Sequence, residues 1–258
     1  MCRMTVDFEF KNEIPVKSDP GGHAFHCDWR QEKNRGTHTM NPSVIYLVRH
    51  GSIISASGKE YIGQNEVPLS EEGVEQAWAL RKWLEPVHFN YAFSSDLSRT
   101  ERTCRIIAGN RAKSIEVIPA LREINLGEWE GFTFREIEQR FPEDYAARGR
   151  DMENWRPPGG ESFADCRARV MDAFRGILDR SQGNILLVGH AGVNRLILCD
   201  LLGISVAKLH SIGQDYGCLN IIDFSRPRMC IKLMNYTPLS TRPVEQNTEA
   251  RERRAAPN

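Results

Sequence analysis

Two histidines, each reached through a short apolar run, are the residues of this sequence best placed to do chemistry. The run VIYLV is followed at once by Arg49 and His50, and the run ILLV is followed, after one glycine, by His190. Apolar runs of this kind are typical of buried parallel strands, and ligands bind beyond the carboxyl ends of such strands. Because imidazole can act as a nucleophile and a guanidinium suits phosphate or carboxylate, the pattern predicts an oxyanion pocket.

Two further polar segments follow apolar runs in the same way. After the run YAF comes SSDLSRT, which places hydroxyl groups and Arg99 in the first turn of a predicted helix. A cation there opposes the helix macrodipole, at a cost of up to about 1 kcal/mol, which a bound dianion would offset. After the run IEVI comes a loop with three carboxylates that could act as a general acid, namely Glu123, Glu128 and Glu130.

The remaining pattern alternates strands with helices. Apolar spacing predicts strands over 44–48, 91–93, 115–118, 185–188, 219–224 and 230–234, and helices over 71–84, 97–108, 134–141, 162–178 and 193–202. Ser70 is the predicted N-cap of the first helix, and the last two strands are predicted to form a hairpin. The alternation indicates an α/β fold, a three-layer α/β/α sandwich whose mostly parallel central sheet has helices on both faces.

Charge and cysteine usage narrow the function classes. The 258 residues contain 34 Lys and Arg against 34 Asp and Glu, so no global field favours nucleic acid or an anionic membrane. The seven cysteines are scattered, which is typical of reduced thiols. No stretch has the length of a membrane span, and the N-terminus lacks the apolar run of a signal peptide. The sequence predicts a cytoplasmic protein without nucleic-acid or membrane partners.

The pattern predicts one central domain with an extension at each end. Residues 1–41 are a polar N-terminal extension predicted to be flexible, 42–237 form the domain, and 238–258 are a flexible C-terminal tail. The N-terminal extension contains His23, His26, Cys27 and His38, so a metal site there is conceivable. A flexible leader is the favoured interpretation, because a zinc site needs paired ligands at recurrent spacing.

Five segments, taken together and in order, resemble the histidine phosphatase superfamily, which has the phosphoglycerate-mutase-like fold. They are RHG at 49–51, YIG with PLS at 61–70, SSDLSR at 94–99, LRE with GEWEG at 121–131, and GHAG at 189–192. The LGEWEG loop and the GGES turn are similar to the α-ribazole phosphatase branch, which acts late in cobalamin biosynthesis, and to related broad-specificity phosphatases. Most of these segments lie at predicted strand ends, which makes the resemblance more specific than any single tripeptide.

The resemblance implies a phosphohistidine mechanism that needs no metal or other cofactor. His50 would be the nucleophile, with one ring nitrogen held by a backbone carbonyl, and Glu123 would protonate the leaving alkoxide. His190 would be the third catalytic residue. The implied phosphate-binding residues are Arg49, Arg99, His190, Gly51 and Gly63.

The loop after the nucleophile departs from the family pattern. Many members carry an asparagine six residues after the nucleophile and a Glu-Thr pair after the glycine, whereas this chain has SIISA at 52–56. Phosphate contacts from this region are therefore expected from other groups, such as Ser52, Ser57 or Gln64. A further carboxylate, Glu161, could satisfy amides at a helix start or stabilise the His190 side of the pocket.

The length of the segment over the site bears on the reaction. Mutases of the family have extra capping segments, whereas only a compact stretch separates Glu123 from the PPGGE turn at 157–161. This favours hydrolysis of a small-molecule phosphomonoester, with α-ribazole 5′-phosphate as the leading named substrate and broad specificity as the other option. The alternatives are a phosphoglycerate-type mutase and a non-catalytic module that binds a phosphorylated ligand.

Overall fold

The strands and helices alternate as the sequence predicts. The computed structural model describes residues 43–54, 60–225 and 229–238. The strands are β1 (Ser43–Arg49), β2 (Tyr91–Ser94), β3 (Ile115–Val117), β4 (Gly183–Gly189), β5 (Leu219–Asp223) and β6 (Cys230–Tyr236). The helices are α1 (Glu71–Trp83), α2 (Ser98–Ala108), α3 (Phe134–Arg140), α4 (Pro142–Arg150), α5 (Phe163–Arg180) and α6 (Ala191–Leu202).

One six-stranded sheet carries the site, in the order β3-β2-β4-β1-β5-β6. The first four strands of this order are parallel to one another, β5 runs antiparallel to β1, and β6 closes the predicted hairpin with β5. Arg49 at the end of β1 is in register with Gly189 at the end of β4. His50 and His190 therefore leave neighbouring strands side by side.

Helices cover both faces of the sheet because successive strand residues point to opposite faces. Ile45 and Leu47 of β1 belong to a buried cluster that also contains the apolar residues of α5 and α6. Val48 belongs to a second cluster, formed with α1 and α2. The predicted three-layer arrangement with a mostly parallel sheet is confirmed.

The helix starts follow from local sequence. The predicted cap of α1 is confirmed, because the Ser70 side chain accepts a hydrogen bond from the Gly73 amide at 3.1 Å. Ser162, predicted as the first helical residue, is instead the N-cap of α5 and forms a capping box with Asp165. Capping residues of this type satisfy backbone amides that have no partner within the helix.

The short helix α4 is absent from the sequence prediction. It begins at Pro142, which suits a first helical position, and it carries acidic residues in its first turn and arginines in its last. None of its residues is buried, so it lacks the apolar stripe by which amphipathic helices are detected.

The predicted terminal extensions fall almost entirely outside the described residues, and so do His23, His26, Cys27 and His38. The domain boundaries at 42 and 237 therefore stay predictions. Among the helices that the structure describes, none combines the length and the apolar character that crossing a bilayer requires.

Candidate active site

His50 lies directly after β1 and is almost fully buried, with 4% of its surface exposed. Its Nδ1 lies 2.8 Å from the carbonyl oxygen of Gly51, which can only accept, so Nδ1 carries the proton and Nε2 keeps its lone pair. Burial, followed by the nearby charges of Arg49 and Arg99, holds the pKa of His50 well below its usual range. The ring is therefore neutral near neutral pH, as a nucleophile must be.

His190 is fully buried at the N-cap of α6, and a chain of hydroxyl groups fixes its tautomer. The Thr100 hydroxyl donates to the Leu97 carbonyl at 2.7 Å and can therefore accept from the Ser95 hydroxyl, which is also 2.7 Å away. The Ser95 oxygen then accepts from Nε2 of His190 at 2.8 Å. Among the described residues nothing pairs with the buried Nδ1 of His190.

The two imidazole rings form the centre of the site, with their centroids 5.2 Å apart. Burial is the main reason why the pKa of His190 lies well below its usual range, and His50, Arg99 and Arg49 add to the effect. His190 is thus neutral near neutral pH and adds no positive charge to the site. A phosphoryl dianion between these cations acts in the opposite direction, so we expect proton uptake with the anion.

Arg49 flanks His50 on the side of the loop that precedes β5. Its guanidinium donates to the Gln214 carbonyl, and its Cζ lies 3.7 Å from the centre of the Tyr216 ring. The Tyr216 ring is also 5.5 Å from that of His50. Sequence reasoning missed Tyr216, because it follows no predicted strand and its neighbours show no recognisable pattern.

The loop that carries Tyr216 is held by amide side chains. The buried Gln214 side chain donates to Asn220 Oδ1 at 2.9 Å, and the Asp215 amide donates to Asn235 Oδ1 at 2.7 Å. These contacts tie the loop to β5 and β6. The loop that places the Tyr216 ring under Arg49 is therefore held by hydrogen bonds to the sheet.

Arg99 lies in the first turn of α2 with 1% of its surface exposed, so it is not a surface arginine, and its contact with phosphate stays a prediction. Its two terminal nitrogens donate to the Asn65 and Gly63 carbonyls, at 2.7 and 2.8 Å. Burial lowers the pKa of Arg99, while Glu123 and other acidic groups nearby act in the opposite direction. Charge burial of this kind is costly without a partner, which is the reason to expect an anion here.

Three buried nitrogen atoms share one property. Arg49 Nε, Arg99 Nε and His190 Nδ1 have no hydrogen-bond partner within the described part of the chain. Arg49 Nε and Arg99 Nε are donors, whereas His190 Nδ1 holds a lone pair and becomes a donor only when the ring takes up a proton. A buried polar group left unpaired costs about 1–3 kcal/mol, so three of them around His50 require an explanation. Phosphoryl oxygens would supply acceptors for the two arginine donors, and for His190 Nδ1 once the anion has brought about its protonation. Within the same residues, no group of three or more His, Cys, Asp or Glu side chains could hold a metal ion.

Glu123 reaches the same edge of the sheet from the loop after β3. One carboxylate oxygen accepts from the Ile124 amide at 3.0 Å, and the other accepts from the Gly192 amide at 3.1 Å, at the N-terminus of α6. A Cβ atom on Gly192 would lie 2.5 Å from that carboxylate. Gly192 therefore makes room for the Glu123 carboxylate.

The two competing carboxylates have other positions. Glu130 accepts hydrogen bonds from the Gln64 and Leu126 amides, at 2.8 and 3.0 Å, and so stabilises the loop backbone. Glu128 is exposed. Between them Trp129 is buried against Tyr61, which agrees with the packing role expected of this segment. Of the three carboxylates, Glu123 is the one that contacts the helix behind His190.

The predicted phosphate-binding glycines have structural contacts. The Gly51 amide donates to Thr103 Oγ1 at 3.3 Å, and a Cβ atom on Gly51 would lie 2.2 Å from the Gly73 carbonyl oxygen. Gly63, with φ of +51°, presents its carbonyl to Arg99. Both glycines thus fit the backbone around the cations, and their direct contact with phosphate stays a prediction.

The remaining predicted contacts are divided between described and undescribed residues. The Gln64 side chain donates to the Glu123 carbonyl at 3.0 Å. Ser52 is bonded to Gln76 of α1 through both its amide and its hydroxyl. Ser57 lies in 55–59, outside the described residues, so its role is a prediction only.

Glu161 takes neither of the two roles considered from sequence. The Ser162–Asp165 capping box serves the start of α5. Glu161 instead accepts from the Asn125 amide at 2.8 Å and forms an ion pair with Arg169 of α5. Burial opposes the charge of Arg169, but the hydrogen bonds to Glu161 outweigh it and leave the pKa of Arg169 raised.

A neutral imidazole with an unbonded ring nitrogen, two guanidiniums and a carboxylate that meet at the carboxyl edge of an α/β sheet are suited to phosphoryl transfer. The comparisons with known proteins agree with this class. A sequence model of the histidine phosphatase superfamily (branch 1) matches residues 45–237. The chain belongs to that superfamily.

Individual relatives support the same assignment. The chain is 31% identical to the adenosylcobalamin/α-ribazole phosphatase of Escherichia coli K12 over 193 residues, which cover 74% of this chain and 95% of the relative. It is 32% identical to phosphoserine phosphatase 1 of Hydrogenobacter thermophilus, covering 75% and 92% of the two chains. The structure of the α-ribazole phosphatase from Shigella flexneri superposes with a TM-score of 0.69 at 30% identity, covering 75% and 96%. The predicted family, fold and phosphatase class are confirmed.

Proposed function

We propose that this protein hydrolyses small-molecule phosphomonoesters without a metal, through a phosphohistidine formed on His50. The observation that carries the proposal is the arrangement around that ring. Nδ1 is tied to a backbone carbonyl, Nε2 keeps its lone pair, and the residues around it have two buried guanidinium donors without partners, Arg49 Nε and Arg99 Nε. These donors match a group that brings several oxygen acceptors.

In the first step His50 Nε2 attacks phosphorus, forming an N–P bond while the P–O bond to the alcohol breaks. Arg49, Arg99 and His190 stabilise the charge that is spread over the phosphoryl oxygens in a loose transition state. Glu123 donates its proton to the leaving oxygen. Repulsion between its carboxylate and a substrate dianion favours the protonated form that this step needs.

In the second step water attacks the phosphohistidine. Glu123, now ionised, accepts a proton from the water, and the electron pair of the N–P bond returns to Nε2. The hydrogen bond from Nδ1 to Gly51 holds the same tautomer through both steps. Release of inorganic phosphate completes the cycle.

The leading substrate is α-ribazole 5′-phosphate. Support comes from the curated relative and the solved structure, both named as α-ribazole phosphatases and both similar over nearly their whole length. The similarity to a phosphoserine phosphatase makes phosphoserine the second compound to test, and activity on both would indicate broad specificity. A cytoplasmic location, which the cysteine usage predicts, belongs to the same proposal.

The test is a panel of four phosphomonoesters assayed with and without chelator: α-ribazole 5′-phosphate, phosphoserine, 3-phosphoglycerate and p-nitrophenyl phosphate. We expect phosphate release, unchanged by chelator, with the highest kcat/KM on α-ribazole 5′-phosphate. His50→Ala should abolish release, and the exposed His88→Ala is the matched control. Loss of activity on chelation, release that survives His50→Ala, or phosphoryl transfer between phosphoglycerates without hydrolysis would each overturn the proposal.

A further inference from the structure

All three guanidinium nitrogens of Arg169, on α5, donate hydrogen bonds to groups around Glu123. Two of its donors bind the Glu161 carboxylate, through Nε at 3.0 Å and through Nη2. Nη1 donates to the Ala120 and Arg122 carbonyls, both at 2.8 Å, and Nη2 also donates to the Glu123 carbonyl at 3.0 Å. Nη2 also lies 3.3 Å from Cys166 Sγ, one turn away on α5, so the five N–H donors of this arginine are shared among six contacts and none is left free.

Glu161 holds the other end of the same loop. Its carboxylate accepts from the Asn125 amide at 2.8 Å, and its own amide donates to the Asn125 carbonyl at 2.9 Å. The segment from Ala120 to Asn125 is therefore bound by one ion pair whose side chains have only 25% and 18% of their surfaces exposed. Glu123 lies inside this segment.

We infer that Arg169, held by Glu161, is a positioning residue for Glu123. The inference rests on the proposed role of Glu123 as the proton donor to the leaving oxygen. The ion pair anchors the peptide groups before and after the Glu123 Cα, and the Gly192 amide then holds the carboxylate. Backbone and side chain of Glu123 are thus fixed from opposite sides, by α5 and by α6.

Fixing an acid in this way matters because proton transfer depends steeply on distance. A misplacement of about 1 Å can cost about 100-fold in rate. A lysine at position 169 would keep the charge, but its three donors sit on one nitrogen and cannot reach carbonyls spread along a loop. Only the planar guanidinium of an arginine has donors spaced to reach these carbonyls and the Glu161 carboxylate together.

The experiment separates positioning from simple loop stability by the leaving group. An acidic phenol can leave an aryl phosphate as the phenolate, without receiving a proton. The alcohol of an alkyl phosphate must be protonated as it leaves. We expect Glu123→Gln to lower kcat/KM by about 100-fold or more on the alkyl ester and by less than about 10-fold on the aryl ester. Arg169→Lys and Glu161→Gln should show the same selectivity, with losses of about 10-fold on the alkyl ester alone.

A matched control is available on the same helix. Arg167, two positions away, forms an ion pair with Asp200 of α6, and within the described residues its hydrogen bonds do not reach the Glu123 loop. Arg167→Lys should leave both esters unaffected. The thermal midpoint of each variant shows whether it is folded, and Arg169→Lys, which keeps the charge beside Glu161, is the milder of the two probes.

The outcomes distinguish the inference from the function on which it rests. Combining Arg169→Lys with Glu123→Gln should cost no more on the alkyl ester than Glu123→Gln alone, because the acid has already been removed. Equal losses on both esters in Arg169→Lys, with Glu123→Gln still selective, would overturn the inference and leave the proposed function intact. If Glu123→Gln itself is unselective, the acid assignment in the proposed function fails.

Discussion

A histidine follows each of the strands β1 and β4, but the two rings are hydrogen-bonded through different nitrogens. Both strands are parallel neighbours in the middle of the sheet, both end at a buried histidine, and the two rings lie 5.2 Å apart. His50 uses Nδ1 to bind the carbonyl of the next residue in the chain and leaves Nε2 free. His190 uses Nε2 to bind Ser95, a residue from another strand end, and leaves Nδ1 free.

The position of each ring and the protonation of its two nitrogens therefore have different structural causes. The register of the sheet places both rings, but the local acceptor decides which nitrogen keeps a lone pair. The acceptor for His50 is the adjacent backbone carbonyl, so its tautomer is fixed without help from another side chain. The tautomer of His190 depends on Ser95 and Thr100, so it is open to perturbation by substitution.

The largest expected effect comes from exchanging each histidine for asparagine in turn. We expect His50→Asn to lower kcat by about 10,000-fold or more, because no ring nitrogen remains to form the covalent intermediate. His190→Asn should lower it by about 100- to 1,000-fold, as expected for the loss of one group that stabilises charge. Rapid quenching with a radiolabelled ester should trap acid-labile phosphoprotein in His190→Asn and none in His50→Asn. The reverse labelling would show that the roles are exchanged.

A smaller effect is expected from the group that orients His190. Ser95→Ala removes the acceptor for Nε2, so we expect kcat to fall by about 10-fold and the free energy of unfolding to fall by about 1–3 kcal/mol. The adjacent Ser94 is also buried, but its hydroxyl has no partner among the described residues, so Ser94→Ala should leave kcat unchanged and should not lower the free energy of unfolding. Both are measured by steady-state kinetics and urea unfolding. Identical behaviour of the two variants would contradict the proposed orientation of His190.

The smallest effect concerns acidity. Each folded histidine has a pKa well below its usual value, chiefly through burial, so below about pH 6.5 the unfolded chain binds protons that the folded chain does not. Stability should therefore decrease as pH falls, by up to about 1.4 kcal/mol per pH unit for each histidine. Urea unfolding across this range should show a shallower decrease in His190→Asn than in the wild type. Parallel curves would show that His190 does not resist protonation.

The elements around this site were predictable because their signals are local. Apolar runs such as VIYLV revealed the strands, and the polar residues after them revealed His50, Arg99 and His190. The helix bounds differ by a few residues at most, since caps such as Ser70 are visible in sequence. Chain order and the family resemblance then supplied Glu123.

The parts that escaped prediction depend on contacts between distant segments. Nothing local distinguishes Arg169 from Arg167, although one binds the loop of Glu123 and the other forms a surface ion pair. Tyr216 follows the same rule, because its contact with Arg49 comes from the packing of a late loop against the end of β1. The hydrogen-bond partner of each histidine is likewise a property of the assembled sheet.

The position of β1 in the sheet has a consequence for biosynthesis. The two strands that pair with β1, β4 and β5, come late in the chain. During synthesis both edges of β1 therefore stay unpaired until β4 and β5 have left the ribosome. Open strand edges invite association with other chains, and pairing between distant segments slows folding. The site combines His50 after β1 with His190 after β4, so it forms only when the late strands have paired with β1. Enzymatic activity therefore reports that folding of the sheet is complete.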